Sequence, residues 1–281
     1  MIRELDVNVI AKAVEQMCIS ANKVLPEDVK NAVLSARNTE QNPLALSVLN
    51  DLEENLKCAK ELDIPICQDT GMAVVFIELG QDVHLVGGAL EDAVNLGVKN
   101  GYTTGNLRMS VVSDPINRVN TCYNTPAIIH TKIVPGSNVK ITVAPKGFGS
   151  ENMSKIFMLK PSDGEQGIID SVLKTVISAG ANPCPPIIVG VGIGGDFEQC
   201  ALLSKQALIE DIDIKNPDEY YADLEKRLLE LINKTGIGPQ GFGGNTTALA
   251  VKIKTAPTHI AGLPVAVNIG CHVTRHITKE I

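Results

Sequence analysis

A chain of 281 residues that is 44% hydrophobic and 20% charged has the composition of an ordinary globular protein, long enough for one enzyme-sized core. Its formal net charge of -7 argues against nucleic acid or an anionic membrane as the main partner, so any anion must be met by a local site. Cysteines 18, 58, 67, 122, 184, 200 and 271 are irregularly spaced, with no C-x-x-C pair, and the acidic start MIRELDVNVIAKAVEQM is neither signal peptide nor membrane span. Reduced thiols and a cytoplasmic location are expected.

Three helices are predicted in the first sixty residues. Ile10, Val14, Met17, Cys18 and Ala21 recur at helical spacing; Pro26 opens a second pattern through Val29, Val33 and Ala36; Ala45, Leu49, Leu52, Leu56 and Ala59 make a third. Strand texture begins at MAVVFIEL, and GALEDAVNLGVKNGY reads as a helix. AIIHTKIV and NVKITVAP, joined by Pro-Gly-Ser, read as a hairpin. A helix over 163–180, a strand at PIIVGV, helices near 197–210 and 218–234, and strands at TTALAVKIK and LPVAVNIG complete the chain. The expected fold is α+β, a helical N-terminal region followed by mixed or antiparallel sheets with covering helices. It forms one domain over residues 1–281, in which 1–62 could be a helical subdomain.

Local setting sorts the cysteines. Cys18 and Cys58 lie on or beside helical stripes as small core hydrophobes, and Cys122 and Cys200 read as structural. Cys67 follows Ile-Pro-Ile, Cys184 sits between two prolines in GANPCPP, and Cys271 follows Asn-Ile-Gly. All three fall in loops at element ends, where prolines and glycines hold side chains at defined angles. They are either three unrelated thiols or one convergent set. If convergent, zinc has only the weak signal of Cys271, His272 and His276, whereas three lone thiolates better suit a four-iron cluster with one open iron. Such an iron would act as a Lewis acid toward a substrate hydroxyl and carboxylate.

IPICQDTGMAVVF, GNLRMSVV, NTPAIIHTKIVPGS, KGFGSEN, GANPCPPIIVGVGIGG and HIAGLPVAVNIGCH, in this order, resemble the N-terminal module, or alpha subunit, of class I fumarate hydratases and the related L-tartrate dehydratases. The resemblance runs over nearly the whole chain. It implies an oxygen-sensitive 4Fe-4S cluster held by Cys67, Cys184 and Cys271, and reversible hydration of a C4 dicarboxylate, fumarate to malate first and tartrate dehydration next. It also implies a separate beta subunit that supplies the base for the carbon-bound proton, without which this chain is inactive, and a higher-order oligomer.

Within that chemistry, Asp69 stands two residues from Cys67 and would handle protons at the oxygen bound by the cluster. The alternative for Asp69 is a turn residue capping the Thr-Gly bend. Arg108 suits a substrate carboxylate because its guanidinium is a planar fork, and Gln68 offers an amide donor. The KGFGSEN turn could present N–H groups from Gly147 to Gly149, although many relatives carry a further glycine where this chain has Phe148. His259, in THIAGLP, matches a family histidine near the substrate; His84, His130, His272 and His276 read as structural.

Gly190, Gly192 and Gly195 have the G-x-G-x-x-G spacing of a dinucleotide site, which makes an NAD-dependent oxidoreductase the main rival. Against it, Glu210 and Asp211 close a helical stretch where a second strand ending in a ribose-binding acid is required. The glycines are expected instead in a turn beside the site. A zinc hydrolase and a non-catalytic scaffold are the remaining alternatives.

Overall fold

The computed structural model describes residues 2–281. Strand β1 (Arg3–Asp6) runs straight into helix α1 (Val7–Lys23) because Asp6 caps it, its carboxylate accepting the Asn8 N–H at 2.8 Å. Helix α2 (Glu27–Thr39) opens on Glu27 and Asp28, acids that complement the partial positive charge of a helix start, and α3 (Pro43–Glu61) opens on a proline that no helical N–H bond is asked of. Then come β2 (Met72–Gly80), β3 (Val83–Val86), α4 (Leu90–Thr104), β4 (Ile128–Val134), β5 (Val139–Lys146), the single turn α5 (Phe148–Glu151) and β6 (Lys155–Leu159). The remainder is α6 (Gly164–Ala179), β7 (Ile187–Gly195), α7 (Phe197–Ala207), α8 (Glu219–Asn233), β8 (Ala248–Thr258), β9 (Leu263–Gly270) and β10 (Ile277–Glu280). The fold is α+β, and among the described residues no helix is long and apolar enough to cross a membrane.

The chain packs as two compact units, and the first three helices are shared between them. One unit comprises the residues up to Pro26, Cys58–Phe148 and Arg275–Ile281; the other comprises Glu27–Lys57 and Gly149–Thr274. In the first, a sheet of order β10-β5-β2-β4 carries Ala73, Val75 and Ile77 of β2 beside Val139, Ile141 and Val143 of β5 on one face. These positions alternate along each strand, so one face is apolar throughout. It buries Ile10, Val14, Met17 and Cys18 of α1 and Val94, Val98 and Tyr102 of α4.

The expected hairpin does not form. β2 lies between β4 and β5, parallel to one and antiparallel to the other, with Val75 opposite both Ile129 and Val143. Residues 135–138 therefore cross the end of β2, and the chain there satisfies them: Gly80 N–H donates to Asn138 O, Gln81 N–H to Val134 O and Asp82 N–H to Gly136 O, at 2.8 to 3.0 Å. Four residues span the roughly 10 Å of two strand spacings, so Pro-Gly-Ser can bridge a skipped strand as well as turn a hairpin.

The second unit is layered. Its sheet, β6-β9-β7-β8, turns Ile187, Val189, Val191 and Ile193 of β7 toward Val172 and Val176 of α6 and Leu224, Leu228 and Ile232 of α8. Alternate residues of β7 face α7. A Cβ at Gly190 would overlap the Ser204 carbonyl and one at Gly192 the Cys200 carbonyl, so the glycines let α7 lie directly on the strand. This corrects the expectation of a turn: Gly190 and Gly192 are mid-strand, and their spacing serves helix packing rather than a phosphate loop.

Candidate functional site

Residues 64–71 lie in the first unit between α3 and β2 without regular structure, and buried polar groups hold them. The Ile66 N–H donates to Asn22 O at 2.9 Å, and Arg275 Nη2 donates to Asp69 O at 2.6 Å. Tyr102 Oη lies 2.8 Å from Thr70 O and 2.9 Å from Gly71 O, and Asn124 Nδ2 donates to Gly71 O at 3.0 Å. Asn22, Tyr102, Asn124 and Arg275 are all buried, so each satisfied carbonyl escapes the cost of desolvation without a partner. Burial pushes the Tyr102 phenol pKa well up, which keeps it a donor.

Asp69 is fixed at both carboxylate oxygens. Oδ1 accepts the Gly71 N–H and Oδ2 the Phe148 N–H, each at 3.0 Å. The capping alternative is therefore part of the structure, and the anion engaged by the KGFGSEN turn at Phe148 is Asp69 itself. Gly147 has a reason to be glycine, since a Cβ there would sit 3.0 Å from Asp69 Oδ2. Arg108 follows on neighbouring chain: its N–H donates to Thr70 Oγ1 at 2.9 Å, and its side chain is exposed. Asp69, Gly147 and the backbone of Arg108 thus meet around one loop, with Cys67 half-buried and Gln68 exposed on it.

Cys184 and Cys271 belong to the second unit. Cys184 is exposed at φ +55°, a conformation L residues rarely adopt, with its N–H donating to Ala181 O at 3.0 Å. Its carbonyl lies 2.9 Å from His272 Nδ1. Gln240 holds the next carbonyl, Pro185 O, through its own N–H at 2.8 Å and its Nε2 at 2.9 Å. Cys271 begins a turn in which the Thr274 N–H and hydroxyl both donate to its carbonyl, at 3.0 and 2.8 Å. His272 thereby ties the Cys184 loop to the residue after Cys271. His259 is exposed on the β8–β9 connection, its Nδ1 accepting the Ala261 N–H at 3.2 Å.

Two of the other four thiols differ, whereas Cys122 is exposed like Cys184. Burial pushes Cys18 up to about 12 and also raises Cys200, so both stay protonated and inert. His130 stacks on Phe76 with ring centroids 5.1 Å apart, as a structural histidine does. Among the described residues no three His, Cys, Asp or Glu side chains gather to hold a metal ion. Sequence reasoning missed Asn22, Tyr102, Asn124, Gln240 and Arg275. Only Asn124, inside the NTPAIIH motif, carried a local signal.

The fumarate hydratase (fumerase) family model matches residues 11–280, and the chain belongs to that family. Among its relatives, a Methanocaldococcus jannaschii protein named "Putative L(+)-tartrate dehydratase subunit alpha" is 41% identical over 279 residues, covering 97% of each chain. The L(+)-tartrate dehydratase subunit alpha of Escherichia coli K12 is 30% identical over 276 residues, covering 97% of this chain and 90% of its own. That of strain UTI89 is likewise 30% identical, over 279 residues covering 98% and 91%.

Proposed function

We propose that this chain is the alpha-type subunit of a cytoplasmic hydro-lyase that interconverts fumarate and malate, acting in a complex with a beta subunit. The observation that carries the reading is Asp69: a carboxylate fixed by two backbone N–H groups, two residues from Cys67, in a chain of the fumarate hydratase family. A separate partner is supported by the words "subunit alpha" in the names of the relatives.

Cys67, Cys184 and Cys271 would hold a 4Fe-4S cluster. Supporting this set, all three thiols are exposed or half-buried on loops, whereas Cys18 and Cys200 are inert core thiols. When bound, the cluster would supply Lewis-acid stabilisation of the departing hydroxyl. The chain's own residues do the rest of the work assigned here. Arg108 pairs its planar fork with one substrate carboxylate, and Gln68, the Gly147 segment and His259 add polar contacts. Asp69 moves the proton at the hydroxyl oxygen: each of its oxygens accepts one N–H and keeps a second acceptor site. The carbon-bound proton falls to a base of the beta subunit.

Tartrate dehydration is the second reading, favoured by the names of the relatives at 41% and 30% identity. Both are tested by reconstituting the chain anaerobically with its beta subunit and assaying fumarate, malate and tartrate. Turnover of fumarate and malate by the complex, and none by the chain alone, is expected. Activity of the lone chain would overturn the two-subunit reading, and no turnover of any C4 dicarboxylate would overturn the hydro-lyase.

A further inference from the structure

Resting on the role given to Asp69, we infer that Arg275 is a positioning residue for the hydration reaction: its buried guanidinium fixes the main chain at Asp69 and so aims that carboxylate. The side chain is buried, 4% exposed, and placing a cation there is costly unless its donors are used. They are used on this loop. Nη2 donates to Asp69 O at 2.6 Å, the short distance of a charge-assisted bond, and Nε donates to Asn22 Oδ1 at 3.1 Å.

Asn22 is buried too, its side chain anchored by Nδ2 on Cys18 O at 2.9 Å, and its main-chain carbonyl, within α1, accepts the Ile66 N–H at 2.9 Å. Arg275 and Asn22 therefore grip the loop on either side of Cys67 and Gln68, at Ile66 and at Asp69. A fork with five donors in one plane can hold a carbonyl and orient a neighbouring amide together; an ammonium cannot fix both directions. The consequence falls on the Asp69 carboxylate, which spans the Gly71 and Phe148 amides at 3.0 Å each and loses both if the backbone beneath it shifts. Arg275 touches no reacting atom in this scheme.

The test compares wild type, Arg275→Ala and Arg275→Lys in the full chain by hydrogen exchange, and in the reconstituted complex by kinetics. In Arg275→Ala the Ile66 and Gly71 amides should exchange about tenfold or more faster while those of β7 and β9 keep their rates. In the complex, kcat should fall about a hundredfold with KM within about twofold, and added guanidinium should recover part of it. Arg275→Lys keeps the charge and the fold but not the fork, so it should show the same local exchange and a kcat loss of about tenfold or more. Faster exchange spread over the whole chain, no change at Ile66 and Gly71, a rise in KM at constant kcat, or wild-type kcat in Arg275→Lys would each overturn the inference. If the wild-type complex turns over no dicarboxylate, the proposed function falls, and the exchange at Ile66 and Gly71 still decides whether Arg275 holds the loop.

Discussion

The two units secure their cysteine loops with a different balance of means. In the first, the Cys67 loop has no regular structure of its own and is held by the buried side chains of Tyr102, Asn124 and Arg275 and by the main-chain carbonyl of Asn22. In the second, Gln240, His272 and Thr274 also bond loop carbonyls, but the backbone itself is specialised. Cys184 sits at φ +55°, and the strand that follows carries glycines so that a helix can lie against it. The first arrangement spends desolvation of polar groups and regains it in hydrogen bonds; the second stores local strain and relies on absent side chains. Substitutions should accordingly hurt the first by removing atoms and the second by adding them.

The largest effect is expected from adding atoms. Gly192→Val would drive side chain into the Cys200 carbonyl, and a loss of about 4 kcal/mol or more, read as a lowered urea midpoint or insoluble protein, is expected. Removing atoms in the first unit comes next. Asn124→Leu strips the Ser110 N–H of its acceptor and the Gly71 carbonyl of a donor, and sets a branched residue at φ +57°, for a loss of about 3 kcal/mol. A subtler probe is alkaline pH. Burial holds Cys18 as a thiol up to about 12 against an ordinary 9.0, so the folded state binds the extra proton above pH 9. Its stabilising contribution is complete below pH 9 and is lost as pH rises, at about 1.4 kcal/mol per unit. Between pH 9 and 11, Cys18→Ala should show a shallower fall in unfolding free energy than wild type. Smallest, and of opposite sign, is relief of strain: Cys184→Gly should be about 1 kcal/mol more stable than Cys184→Ala, and equality would show that the conformation costs nothing.

The helices were legible because a period of 3.6 survives any tertiary context, and the loop setting of Cys67, Cys184 and Cys271 was legible because proline and glycine act locally. The strand order was not. Pro-Gly-Ser between β4 and β5 has the same chemistry whether it closes a hairpin or crosses the end of β2, and the choice is made by β2, some fifty residues upstream. The glycines of β7 misled for a related reason: spacing alone cannot say whether an absent side chain makes room for a phosphate or for the Ser204 and Cys200 carbonyls. Arg275 and Asn22 were silent because a buried polar residue is defined by partners distant in sequence. The place of Asp69 in a C-x-D stretch could be read directly, but its bond to the Phe148 N–H could not.

Strand β10 pairs antiparallel with β5, Thr278 opposite Thr142, with the entire Gly149–Thr274 segment of the second unit lying between them in sequence. Arg3 Nη1, near the other end of the described chain, bonds to Ser137 O and Ile281 O, both at 2.8 Å. During synthesis, the earlier-made half must wait with an unpaired sheet margin while the later-made half is translated and is free to fold. A ribosome-bound intermediate would thus carry β5 as an open sheet edge until Ile277–Glu280 emerge.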